Sequence, residues 1–408
     1  MKHTRITALL LVCALLLTLL TACGGGDPAP SPSQSTQIET TVPLVDTPDV
    51  VKELLGMSRD TPVLNVEGRD ISAEEYLYCL SYVIEAVADE LGLDPAELDW
   101  TANYVEDLPL TTYITDSAVE TASFQSLVLS RSAQRGLTLS EEERADLDAQ
   151  IAYVIEYLGG EDYYALQLRS TPLSDAAMRT IGSINYYYDD LQTALFGDGT
   201  VTGETVPTEQ DYIDFAEGLG LLMSKHILIK TVNDDYSSYT DEEKADALGR
   251  AQDILAQIRA ADDPEAKFDE LMNEYSEDGR TADGKLGAPD GYLFGEGQMV
   301  DAFFQGTLAL DYHEISDLVE SEYGYHIILR LPPVNDDVRQ AWPTFMMDTA
   351  VDSWMAEVRP ETLKAFSSID PQEFYTKLLA YRDTLVDEAE ALDAAAQAAG
   401  ETSGNTGD

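Results

Sequence analysis

The chain has 408 residues, 76 acidic against 24 basic side chains, and a formal charge of −52 at neutral pH. Such a surface repels phosphate backbones, which excludes nucleic acid as an expected partner and favours solubility, diffuse cations and basic polypeptides. The 44 % hydrophobic content supports real cores, and the length suggests two or three domains of ~150 residues each.

The opening MKHTRITALLLVCALLLTLLTAC reads as a signal peptide. Lys2 and Arg5 are its positive end, and the apolar stretch Ile6 to Leu20 is short for a bilayer crossing of ~20 residues. Residues 1–22 end in LTA directly before Cys23, and LTAC is similar to the bacterial lipobox, whose cysteine receives lipid and becomes the mature N-terminus. The alternative is an ordinary secretory signal with a chance cysteine. The lipobox reading places the protein on the extracytoplasmic face of a bacterial cell membrane, held through an N-terminal lipid, and stable anchoring takes more than one acyl chain. With Cys13 in the signal and Cys23 lipidated, only Cys79 remains; no intrachain disulfide can form, and its apolar helical setting reads as a core thiol.

Residues 23–60 are expected as a flexible tether, since 24–49 are rich in Gly, Pro, Ser and Thr. VLNVEGRDIS (63–72) reads as a short strand pair around Glu67-Gly68, and Ser72 with Glu75 as a capping box. A helix follows on one apolar face through Tyr76, Leu77, Leu80, Val83, Ile84, Val87 and Leu91. Further helices are expected from about 115 to Arg135, from Ser140 with Glu143 to Gly159, from Ser174 to about Phe196, and from Thr208 with Asp211. Residues 61–221 are thus mostly helical.

At 222 the pattern changes. MSKHILIK is a strand, Thr240 with Glu243 caps a helix through Ala260, and FDELMNEY gives a second helix over about 266–275. Glycine-rich turns follow, then a short helix near Val300–Leu308, EISDLV as a strand, and GYHIILRL as the last strand before Pro332 and Pro333. Helix resumes over 334–396, where Trp342, Phe345, Met346, Trp354 and Met355 need an apolar partner; the helical segment before 220 is the expected one. The reading is α+β, with a compact unit over 222–333 inserted into a discontinuous helical domain and a disordered tail over 397–408.

Two of the four histidines head similar strands, SKHILIK (224–230) and GYHIILR (324–330). If these strands pair in one sheet, His226 and His326 meet on one face, where the two rings could hydrogen-bond to each other. A satisfied core histidine remains the plain alternative for either.

SKHILIK, FDELMNEYSED, GKLG, FGEGQMVDAF, HEISDLV and YGYHIILRL, in that order over about 110 residues, resemble the parvulin-type peptidyl-prolyl isomerase domain. With the lipobox and helical flanks, the chain resembles the PrsA-like foldase lipoproteins. The fold so implied is a parvulin-like domain, an antiparallel sheet with surrounding helices, inserted in a mostly helical SurA/PrsA-like chaperone domain. The resemblance implies His226, Asp278, His326 and Ser321 as catalytic positions, and Leu286, Phe294, Met299 and Phe303 as the apolar wall for the proline ring. It implies no metal and no cofactor. The chemistry fits those residue types. Rotation about an X-Pro bond breaks amide resonance, a barrier of ~18–20 kcal/mol. An apolar pocket disfavours the charge-separated planar ground state relative to the twisted transition state, so catalysis is differential binding. The histidines read as mainly architectural, holding the sheet and tuning Asp278.

Plain readings stand beside these: Met299 and Phe303 as helix core, and Asp278 as a solvated turn residue. His313 reads as exposed, and His3 belongs to the signal peptide. Three features depart from the family pattern. The LG…F linker is expanded to LGAPDGYLF, Lys285 stands where many relatives have aspartate, and the loop TVNDDYSSYTDEE lacks arginine. Phosphoserine-proline recognition is therefore not expected, and basic residues flanking the substrate proline are. The expected partners are unfolded or newly secreted proline-containing polypeptides and the membrane, with homodimerisation open. A non-catalytic chaperone whose parvulin domain is structural is the rival reading. A solute-binding lipoprotein is disfavoured by the lack of repeated α/β units or two similar lobes.

Overall fold

The computed structural model describes residues 41–403, apart from Glu106, Asp234 and residues 282–283. The expected signal peptide, Cys23, the first part of the expected tether and residues 404–408 lie outside the described residues. Two compact units emerge: one holds the described residues up to Ala194 and those from Asp348 on, the other Leu195–Met347.

The first unit begins with α1 (Val50–Leu55), β1 (Pro62–Val66), β2 (Arg69–Ser72), α2 (Ala73–Leu91), β3 (Asn103–Val105), β4 (Leu108–Pro109) and α3 (Leu110–Gln134). Three more helices lie wholly within it: α4 (Glu141–Leu158), α5 (Glu161–Ser170) and α6 (Asp175–Gly182); α7 (Ile184–Phe196) follows, and later β9 (Glu361–Thr362) and α13 (Pro371–Ser403) complete the unit. β1 pairs antiparallel with both β2 and β9, so the last part of the chain closes a sheet begun by the first. α2, α3 and α13 contribute buried residues such as Tyr76, Leu80, Ile114 and Phe374 to the core against that sheet. Cys79 is fully buried there.

Local signals account for many of these boundaries. Ser72–Glu75 and Ser140–Glu143 both form reciprocal capping boxes, each satisfying backbone donors that a helix start would otherwise leave open. Elsewhere the structure differs from the expectation. Residues 41–60 are not a tether: Asp49 caps α1, and Val50, Val51 and Leu54 are buried. The helix expected from Ser174 to Phe196 is two helices, because the chain turns at Ser183, whose hydroxyl donates to Thr180 O at 2.7 Å. α5 has no counterpart in the sequence reading, and α13 continues through Ser403, beyond the expected start of the tail at 397.

The second unit contains α8 (Glu209–Gly218), β5 (Leu222–Lys230), α9 (Asp241–Ala260), α10 (Pro264–Tyr275), β6 (Tyr292–Phe294), α11 (Asp301–Leu308), β7 (Val319–Ser321) and β8 (Gly324–Leu331), and runs into α12 (Asp336–Glu357). Its sheet has the order β6-β5-β8-β7, all antiparallel. The first and last long strands of the unit are therefore its centre. Capping boxes at Thr208 and Thr240 start α8 and α9. Trp342 and Val338 pack with Phe196, Tyr212 and Phe215, which draws α8 and the start of α12 into this unit, wider than the expected 222–333.

EISDLV is not a continuous strand. Ile315 makes an isolated bridge to Leu329, and β7 begins only at Val319. Ser316 interrupts the ladder: its N–H donates to Ile328 O, but its hydroxyl oxygen, at 2.9 Å, replaces a carbonyl as acceptor for Ile328 N–H.

Candidate active site

Alternation along β5 and β8 places the site. Ile227, Ile229, Ile327 and Leu329 are buried against α9 and α10 with Phe268, Leu271 and Met272. Side chains of a strand alternate, so His226 and His326 must point to the opposite face, and a one-residue slip would bury the imidazoles among the isoleucines. The register pairs Leu228 with His326 and His226 with Ile328, so the histidines are diagonal neighbours across the sheet centre. Gly324 opens β8 at φ +148, where an added Cβ would lie 2.1 Å from Ile229 O; only glycine lets the strands close here.

The rings do not hydrogen-bond to each other as expected. Their centroids are 5.3 Å apart and their planes cross at 80°, an edge-to-face contact. Phe303, from α11, sits against both, with centroids at 4.8 Å from His226 and 5.3 Å from His326. Phe294 stands 5.6 Å from Phe303. Leu222 and Ile328 complete the buried part of this cluster, with Tyr292, Met299, Val300, Phe304 and Val319 partly buried around it.

His326 Nε2 and Ser321 Oγ are 2.7 Å apart, and that oxygen accepts from Tyr323 N–H, leaving its own proton for the imidazole. Burial first, and the neighbouring His226 second, push His326 down to about 3, against the pull of Asp278, so the ring is neutral at pH 7. His226 Nε2 lies 3.4 Å from Asp278 Oδ2, a close contact that falls short of a well-formed hydrogen bond. The Tyr292 hydroxyl donates to the same oxygen at 2.7 Å. His226 first and Tyr292 after it hold the Asp278 carboxyl down at about 2, against burial, which raises it. Burial and the bond to Asp278 in turn raise Tyr292 to about 12.

The structure thus brings His226, Asp278, His326, Ser321, Phe294, Met299 and Phe303 to one face of the sheet. Leu286 does not join them. It makes an isolated bridge with Arg280 and packs on the cluster formed by Ile227, Phe268 and Met272, on the other side. Phe294 and Phe303 are 1 % and 2 % exposed, so they form a floor; Asp278, with a side chain 32 % exposed, is open to solvent. Tyr292 escaped the sequence reading because its segment looked like glycine-rich turn. The signal was the two-residue spacing of Tyr292 and Phe294, which as strand neighbours must share a face. Chemically, the site offers an anionic acceptor, Asp278, beside the histidine pair and over an aromatic floor.

Residues 226–331 match the model of the PPIC-type PPIase domain, a rotamase family. A peptidyl-prolyl cis-trans isomerase Pin1 of Malus domestica is 34 % identical over 113 residues, 26 % of this chain and 90 % of that protein. The foldase protein PrsA of Halalkalibacterium halodurans is 34 % identical over 134 residues, 32 % of this chain and 33 % of that one. A longer, weaker match to the foldase protein PrsA of Caldanaerobacter subterraneus subsp. tengcongensis is 23 % identical over 308 residues, 74 % of this chain and 84 % of that one. The chain spans only 33 % to 44 % of the length of the PrsA proteins of Halalkalibacterium halodurans, Geobacillus kaustophilus and Bacillus subtilis.

Proposed function

The chain belongs to the PPIC-type, or parvulin, peptidyl-prolyl isomerase family, and on that premise we propose that it is an extracytoplasmic foldase, anchored by lipid at Cys23, that isomerises X-Pro bonds in secreted polypeptides. The observation that carries the reading is the meeting of Asp278, His226, His326 and Ser321 over Phe294, Phe303 and Met299 on one sheet face. In this reading the substrate proline rests on the apolar cluster and Asp278 meets the amide as it twists. The aromatic surroundings penalise the planar, charge-separated amide more than the twisted one. The histidines are too buried to touch substrate: side chain 8 % exposed at His226, residue 4 % at His326. They hold the sheet and set the charge of Asp278. The helical unit grips the unfolded client, with holdase activity of its own.

A second reading is a chaperone whose parvulin domain is structural. The burial of Phe294 and Phe303 favours it, because a proline ring cannot reach either phenyl face without movement. The deciding measurement is NMR exchange between cis and trans forms of a short Ala-Pro peptide, with the chain from residue 24 on and with Asp278→Ala and His326→Ala. The expected result is acceleration by the parent that drops at least about tenfold with Asp278→Ala, some 1.4 kcal/mol of barrier. No acceleration by a folded parent establishes the structural reading. Fatty-acid labelling that survives Cys23→Ser refutes the anchor.

A further inference from the structure

We propose that Tyr292 is a positioning residue for Asp278, brought to the site by the extra residues between Leu286 and Phe294. This rests on the isomerase reading of the same site. The segment LGAPDGYLF must bring the chain back against β5. Gly291 makes that approach at φ +100, where an added Cβ would lie 2.8 Å from Ser224 O. The next residue, Tyr292, pairs with Ser224, and its side chain shares the histidine face with Phe294. From there its hydroxyl reaches Asp278 Oδ2 at 2.7 Å, while its ring lies nearly parallel to His226, 15° between planes and 5.8 Å between centroids.

Both contacts to Asp278, from Tyr292 and from His226, fall on Oδ2. The carboxylate is thus fixed through one oxygen and presents the other. A tyrosine suits this better than a cation would: it donates a hydrogen bond without cancelling the charge, and its ring lies nearly parallel to the His226 imidazole. The groups facing Asp278 are His226 from β5, His326 from β8 and Tyr292 from β6. Its loop neighbours are engaged elsewhere. Glu277 accepts from Lys230 N–H and Arg250, and the Arg280 guanidinium donates to the carbonyls of Asn273, Ser276 and Gly284.

The test uses the full chain and its Tyr292→Phe variant, with Tyr292→Leu to remove the ring as well. Carbon NMR follows the titration of the Asp278 carboxyl and the His326 ring, and peptide exchange gives turnover. In Tyr292→Phe the Asp278 midpoint should rise toward the ordinary value of ~3.9. Turnover at neutral pH should fall several-fold with peptide affinity unchanged, and the acid limb of the rate profile should move up with the midpoint. Unchanged backbone amide shifts in the helical unit and in α9 and α10 show that the fold is intact. Tyr292→Leu should additionally weaken peptide binding. An Asp278 midpoint that stays put in Tyr292→Phe overturns the proposal, and so does a shifted midpoint with unchanged turnover. A parent that accelerates nothing overturns the isomerase reading and the positioning role together, while the titration still reports the hydrogen bond, so the two failures are told apart.

Discussion

Each unit holds a buried polar cluster, and the two are built on opposite terms. In the helical unit Arg179, whose side chain is 2 % exposed, bonds both oxygens of Asp175 and one of Asp148 at 3.1 Å, and its remaining reach goes to Pro43 O. Thr41 N–H and hydroxyl donate to Asp148, Val45 N–H and the Tyr164 hydroxyl to Asp175. In the isomerase unit both ring nitrogens of His226 and Nδ1 of His326 are buried without a hydrogen-bond partner among the described residues. A closed network offsets its desolvation and fixes structure. An open one concedes stability, and that concession is expected where side chains serve chemistry.

The largest way to break this contrast is Arg179→Met. It leaves the Asp148 and Asp175 carboxylates buried without their cation, a change that typically costs 3–5 kcal/mol, so roughly that much should be lost from the helical unit. Urea unfolding followed by hydrogen exchange of α4 and α6 checks it, and adding Asp148→Asn with Asp175→Asn should recover part of the loss. If the single variant cost under about 0.5 kcal/mol, the range of an ordinary surface change, the network would not be what pins residues 41–45.

That network also shows why residues 41–60 were misread. TVPLVDTPD carries no period and reads locally as linker, yet its backbone groups are claimed by carboxylates more than a hundred positions away. Sequence pattern shows caps and alternation because both depend on neighbours. Ser72, Ser140, Thr208 and Thr240 were legible as helix starts for that reason, as was the shared face of the two histidines. Leu286 was not: the family pattern put it in the proline wall, whereas it packs on Ile227, Phe268 and Met272 across the sheet, and no local signal in the glycine-rich turns around it marks that face. Ser316 shows the same limit, since a side chain replacing a ladder acceptor leaves no mark in the hydrophobic pattern of EISDLV.

Acid sharpens the contrast at an intermediate scale. His326 titrates at about 3 in the fold against ~6.5 unfolded. Below pH 6.5 the unfolded chain takes up a proton that the folded one refuses, so stability falls with pH until about 3 and then levels off. The total is a few kcal/mol, drawn from the isomerase unit. Asp278, depressed to about 2 from its ordinary ~3.9, adds a loss of the same sign between those two values. His326→Leu removes the ring nitrogen that lacks a partner, so its urea midpoint should be flatter than the parent's between pH 6.5 and 3.5. An equally steep decline in the variant would mean that the open cluster is not what concedes stability.

The smallest effect concerns which clients the open cluster meets. Thr231 N–H donates to Tyr323 O, and the Tyr236 ring contacts that of Tyr323 at 6.4 Å, so the loop after β5 lies beside Ser321 and His326. Asp235 is exposed on it, and Asp241, Glu242 and Glu243 are exposed in the first turn of α9, which it leads into. Exposed carboxylates attract a flanking lysine only weakly, by about 0.2–1 kcal/mol, and salt screens them. Lys-flanked Ala-Pro peptides should therefore turn over no more than about five times faster than Glu-flanked ones at low ionic strength, with the gap closing near 0.5 M salt. Equal rates at low salt would show that the negative loop does not act on the bound peptide, and a gap indifferent to salt would place the preference in a direct contact within the site rather than in the exposed acidic residues.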